Sequence, residues 1–335
     1  MKPVTGAWRA FSIAKQANIS TAAAVDSRVP LFGDLAEVEP DQHYFNDDEV
    51  GRMLPSASRI LTNKLAFKHK SKAFPHLVGL FGSLALGTDV PTQVAQTDAY
   101  AHKMSADKTI IELPYRTMIE NDGDAQWKHK GITCAGFTLS GKRGEFVELE
   151  ADLIGSGDEA TDATAAPAAS TESYLSFADV GFGVGGAFAN DAVTGGTSHA
   201  GRLQEFTFGF KTGAKALYLM GTAGGVAGQI RRGGKWEVEC KAKVELEDRD
   251  ARTALLAGTP LVVEIPLIGG VADDTAHYEV KIVLPMTKYK VVKKSHADGL
   301  LIADVEFQAM EDGTNAPVIL YVTNLQTASY LGIPA

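Results

Sequence analysis

The stretch WEVECKAKVELE, residues 236–247, alternates without a fault. Trp236, Val238, Cys240, Ala242, Val244 and Leu246 fall on one side, and Glu237, Glu239, Lys241, Lys243, Glu245 and Glu247 on the other. A period of two marks a strand with one buried face and one solvated face. Beyond it Asp248 or Asp250 can cap a short helix containing Ala254, Leu255 and Leu256, and Gly258 supplies a C-terminal stop. The unit reads strand, helix, stop.

Working outward, the same unit occurs earlier. Residues 65–70 form a strand that leads through Ser71 into a short apolar helix over 73–81, ending at Gly82. Next, IIELP at 110–114 matches VVEIP at 262–266 type by type. Residues 127–139 parallel 278–291, and the alternating strand 147–153 parallels 303–309. Five matches in one order predict an internal repeat. The expected chain therefore has a first lobe over 1–155 with an N-terminal arm, and a second lobe over 174–335 with a C-terminal tail. Between them 156–173, SGDEATDATAAPAASTES, has the composition of a linker. The first lobe carries an insertion near 84–108, and long insertions in a repeat usually serve function or assembly.

Composition narrows the function classes. The 335 residues are 45% hydrophobic and 22% charged, ordinary for a globular protein, and no apolar run approaches the ~20 residues of a membrane span. The N-terminus has no apolar core of a secretory signal, so synthesis in the cytoplasm is expected. Cys134 and Cys240 lie far apart with no C-x-x-C spacing, which argues against a disulfide framework or a cysteine zinc site. A formal charge of −9 opposes general binding to phosphate backbones.

No motif carries catalysis. The Gly-rich stretches 183–186 and 221–228 lack the Lys-Ser or Lys-Thr of a phosphate loop, and read as turns. The eight histidines form no ligand spacing, no G-x-S-x-G elbow occurs, and Asp273-Asp274 reads as solvated loop charge. Neither a cofactor nor a metal is expected.

Three stretches now become recognisable: RAFSIAK at 9–15 with Thr21 following, ITCAGFTLSG at 132–141, and GEFVELEADLIG at 144–155. Together with IVLP at 282–285 and VEFQAMED at 305–312, they resemble the tail tube (major tail) proteins of long-tailed bacteriophages. Ser12 stands where that family often has Gly, and Gln16 where it often has Glu.

The resemblance implies a mainly β chain of two repeated β-sandwich or barrel lobes, each with a short flanking helix. It also implies rings stacked into a virion tail tube that conducts DNA without binding it specifically, with a tape measure protein and a tail terminator as partners. A duplicated unit implies three chains per pseudo-sixfold ring rather than six. Lumen-lining candidates are Glu148, Glu150 and Asp152 on one strand, with Asp304, Glu306 and Gln308 on its counterpart. Their negative charge would keep DNA mobile, although the same face equally fits an ordinary solvated outer wall. A terminator or baseplate ring, and a glycan-binding or hydrolytic β-sandwich, are the alternative readings.

Overall fold

The computed structural model describes residues 10–24, 27–29, 38–45, 57–121, 125–164, 172–199, 201–219, 223–245, 250–297 and 300–331. It is mainly β. The part before the Ala/Thr-rich segment contains β1 (Ala10–Gln16), β2 (Ser27–Val29), β3 (Val38–Phe45), β4 (Ala57–Lys72), α1 (Pro75–Leu86), β5 (Val90–Gln93), β6 (Tyr100–Ser105), β7 (Tyr115–Asn121), β8 (Gln126–Lys142), β9 (Glu148–Gly155) and β10 (Asp158–Thr161). After it come β11 (Gly183–Val184), β12 (Ala187–Ala189), β13 (Ala192–Thr194), β14 (Thr197–Ser198), β15 (Leu203–Lys211), β16 (Ala214–Leu217), β17 (Gln229–Arg232), β18 (Glu237–Glu245), α2 (Asp250–Ala257), β19 (Leu261–Asp273), β20 (Ala276–Ala297), β21 (Leu300–Ala309) and β22 (Ile319–Asn324).

The alternation that opened the sequence analysis is β18. Cys240, Ala242 and Val244 are buried, while Glu239, Lys241 and Lys243 are exposed. From it extends an antiparallel run in the order β3-β4-β9-β8-β15-β18-β21-β20. The strands β8 and β20 are long, and each changes partners midway. The first part of β8 lies between β7 and β10, and its later part between β9 and β15. The first part of β20 lies between β19 and β22, and its later part pairs with β21. The change in β8 is made at Gly131, whose φ of 65° favours glycine, and where a Cβ would meet Ile19 Cγ1 at 2.6 Å.

Helix α1 starts at Pro75, whose ring presets the first helical turn, and stops at Gly87 with φ 89°. It therefore runs past Gly82, where the sequence reading ended it. A helical glycine costs only about 1 kcal/mol, and here it admits Leu320 of β22, which lies 2.4 Å from where a Cβ would sit. Every α1 residue except His76 is buried, as expected of a helix apolar on all sides. Helix α2 ends at Gly258 with φ 61°, the stop expected from its sequence.

Three expectations about segments are revised. IIELP at 110–114 does not match VVEIP in structure: VVEIP lies within β19, whereas Glu112 makes a single bridge to Arg231 and the strand is the following β7. Within 84–108, α1 ends and β5 and β6 form a hairpin whose β6 pairs along β22, so this stretch joins the sheet of the second half inside the chain. In 156–173, residues 158–161 are strand β10 on β8, Glu172 lies against α1, and 165–171 fall outside the described residues. One hydrophobic cluster takes in residues from both sides of this segment, with Phe137 and Leu139 of β8 meeting Phe206, Phe208 and Phe210 of β15.

Glu172 gives a pH test. Its Oε2 accepts the His76 amide of α1 at 2.7 Å, yet burial outweighs that bond and raises the carboxyl to about 7. A raised carboxyl holds its proton in the fold at a pH where the unfolded chain has released it. Folding stability should therefore fall as pH rises from about 4.5 towards 7. Glu172→Gln is expected to flatten that slope. Thermal unfolding at pH 5 and pH 7.5 checks it, and an unchanged slope in the variant would refute the assignment.

Candidate assembly face

Strand pairing places all six predicted lumen residues on one solvent-facing surface. The opposite faces are core, with Leu149, Ala151 and Leu153 of β9, the preceding Val147, and Ala303, Val305 and Phe307 of β21 all buried. The surface is not simply acidic, because neighbouring strands bring lysines to it. Lys70 of β4 pairs with Glu148 at 3.1 Å, and Lys68 lies 2.7 Å from Glu150 and 3.5 Å from Asp152. Lys290 of β20 pairs with Glu306 at 2.7 Å and holds that carboxyl below its ordinary range through their hydrogen bond. Asp304 faces Lys243 across the β18·β21 ladder and accepts Ser295 Oγ at 3.2 Å, while Gln308 is opposite Lys288. Lysine-bearing and carboxylate-bearing strands thus lie side by side and neutralise one another. Each pair is exposed, so it contributes little stability, roughly 0–1 kcal/mol.

The same run has two open edges. Over 66–72, β4 pairs with β9 on one side, and over 288–297, β20 pairs with β21 on one side. Among the described residues no strand occupies the other side of either stretch. Both edges carry lysines, Lys68, Lys70 and Lys72 on one and Lys288, Lys290, Lys293 and Lys294 on the other, a pattern that discourages indiscriminate strand addition.

A buried polar network went unseen in the sequence. Asp89 and His102 are both buried, with His102 Nδ1 3.0 Å from Asp89 Oδ1 and Nε2 2.7 Å from the Gln326 carbonyl. Asp89 also accepts the Tyr330 amide, Arg116 donates to the Tyr330 carbonyl, and Asn324 Nδ2 donates to the Tyr330 hydroxyl at 2.6 Å. The Tyr330 ring fills the space a Cβ on Gly79 would take, so the network fastens the end of the described chain to α1. It contains no nucleophile aimed into a pocket. Burial pushes the thiols of Cys134 and Cys240 up, leaving them protonated and inert.

Among the described residues no three His, Cys, Asp or Glu side chains could jointly hold a metal ion, and no helix is long and apolar enough to cross a membrane. Extended antiparallel sheets define a mainly β protein that fits the sandwich class. More particularly, the chain belongs to the phage tail tube protein family, whose model matches residues 21–309. That family is structural, not a family of enzymes, and its place is the virion tail. None of the curated proteins matches the chain.

Proposed function

We propose that this chain polymerises as closed rings of three copies, stacked into a tail tube through which DNA leaves the virion. Each chain supplies two equivalent sectors. The observation that carries the reading is the run β3-β4-β9-β8-β15-β18-β21-β20 with an open edge at either end, in a chain of the tail tube family. Rings satisfy such edges in a controlled way.

The ladders support the duplication. The correspondence that carries Leu65 to Trp236 and Val147 to Ala303 also carries the paired residues His69 and Ala151 onto the paired residues Cys240 and Phe307. It carries Gly87, the stop of α1, onto Gly258, the stop of α2. Likewise Phe137 opposite Ala151 maps onto Tyr289 opposite Phe307. Within the chain β8 joins β15, and this contact models how one copy joins the next.

In this reading the face with Glu148, Glu150, Asp152, Asp304, Glu306 and Gln308 lines the lumen. DNA would pass because lysine and carboxylate stripes cancel, leaving no net cationic field to hold phosphate. A tape measure protein would occupy the lumen before ejection, and a terminator would cap the tube.

Purified protein examined by cryo-microscopy is expected to give hollow rods with three chains per ring and these six residues on the inner wall. Six chains per ring would defeat the stoichiometry. Isolated particles under all conditions would defeat the tube reading itself.

A further inference from the structure

We infer that α2, with the hollow beneath it, is the seat for the first half of a second copy of this chain. The inference rests on the ring reading above and names a contact that the sheet edges alone do not specify.

The two helices correspond in position. Each follows a corresponding strand, ends in a left-handed glycine, and packs on the long strand of its own half, α1 on β8 and α2 on β20. Their outer sides differ. Strands β22 and β6 and the Tyr330 ring cover α1, and Arg232 of β17 caps its C-terminus by donating to the Ala85 and Leu86 carbonyls at 2.9 and 2.7 Å. These covering groups come from the other half or from the hairpin that joins it. Among the described residues helix α2 has no such cover. None of its residues is buried, and Leu256, at the position corresponding to the buried Ala85, is 77% exposed. Between α2 and the sheet lies a hollow of about 190 Å³, lined by the rings of Phe182, Tyr289 and Phe307 and by the polar side chains of His199, Arg202 and Asp250. A helix of eight residues with none of them buried and a bare leucine has too little burial to hold itself firmly.

The occupant follows from the internal contact. The groups over α1 include β22 and part of β20, and the first-half counterparts of these strands are β10 and the early part of β8, because His129 opposite Glu159 parallels Val280 opposite Val322. In a ring the first half of the next copy would approach α2 as the second half approaches α1. The surface is continuous with the open edge of β20 over 288–297, where that copy must arrive.

The test uses the full chain with Leu256→Cys, in which both native thiols, Cys134 and Cys240, are buried. Maleimide labelling at position 256 should be fast in the monomer and at least about tenfold slower in assembled tubes, since a covered site is reached only through local opening. Tubes that label as fast as monomers would overturn the proposal while leaving the tube reading intact. A second variant, Leu256→Asp, should keep the monomer's circular dichroism and unfolding midpoint yet form no rods under conditions where the natural chain does. Rods at normal yield from that variant would also overturn it. If the natural chain forms no tube at all, the ring reading fails first and this inference falls with it.

Discussion

Phe208→Ala is expected to remove about 3–5 kcal/mol of folding stability. Phe208 is fully buried on β15, opposite Leu139 of β8 on one side and Cys240 of β18 on the other. Its ring centroid lies 5.9 Å from that of Phe137, so truncation opens a cavity where the two halves share their core. Single domains commonly hold only 5–15 kcal/mol in total, so the loss would be a large fraction. Urea unfolding followed by tryptophan fluorescence measures it. A loss below about 1 kcal/mol would mean that the junction can collapse around the gap. The natural chain should also unfold in one transition, because one hydrophobic cluster spans both halves. Two separated transitions would show that the halves are energetically independent.

Asp89→Ala should cost a comparable amount, about 3–5 kcal/mol, for a different reason. The carboxylate receives His102 Nδ1 and the Tyr330 amide in a place closed to water. Its removal strands a buried imidazole and a buried amide together, and that penalty exceeds the value of the bonds themselves. Asp89→Asn keeps one acceptor oxygen and should lose clearly less. The release of the end of the described chain provides a separate readout. Limited proteolysis should cut near 325–331 much faster in Asp89→Ala than in the natural chain, whereas equal cutting rates would show that Tyr330 and Arg116 hold the segment without the carboxylate.

Strand identity was legible wherever a single strand has one wet and one dry face. The alternation of 236–247 appears as β18 over 237–245, with 246–247 outside the described residues, and that of 147–153 appears as β9. Both helices were legible from a short apolar run closed by a glycine, although α1 runs past Gly82 to Gly87. What failed were judgements that depend on neighbours. IIELP resembles VVEIP in residue type, yet Glu112 bridges to Arg231 and the Leu113 amide donates to the Ile230 carbonyl, so 110–114 attaches to β17 of the second half. Side-chain type cannot reveal such a partner 117 or more positions away. The candidate face was read as acidic because Glu148, Glu150 and Asp152 were considered on their own strand. Lys68 and Lys70 belong to β4, and only the antiparallel register places them opposite. The Asp89, His102 and Tyr330 network had no local signal, since its members come from a loop, a hairpin and the far end of the chain.

The two long strands also bear on mechanics. A shear that slid the early parts of β8 and β20 past their later parts would have to act along continuous covalent backbone, whereas most sandwiches resist such sliding only through side-chain contact. In β8 the change of partners falls at Gly131, against which Ile19 packs closely. Load applied to one group of strands is therefore passed to the other through two peptide chains in tension. Such an arrangement makes the two groups of strands move together rather than slide.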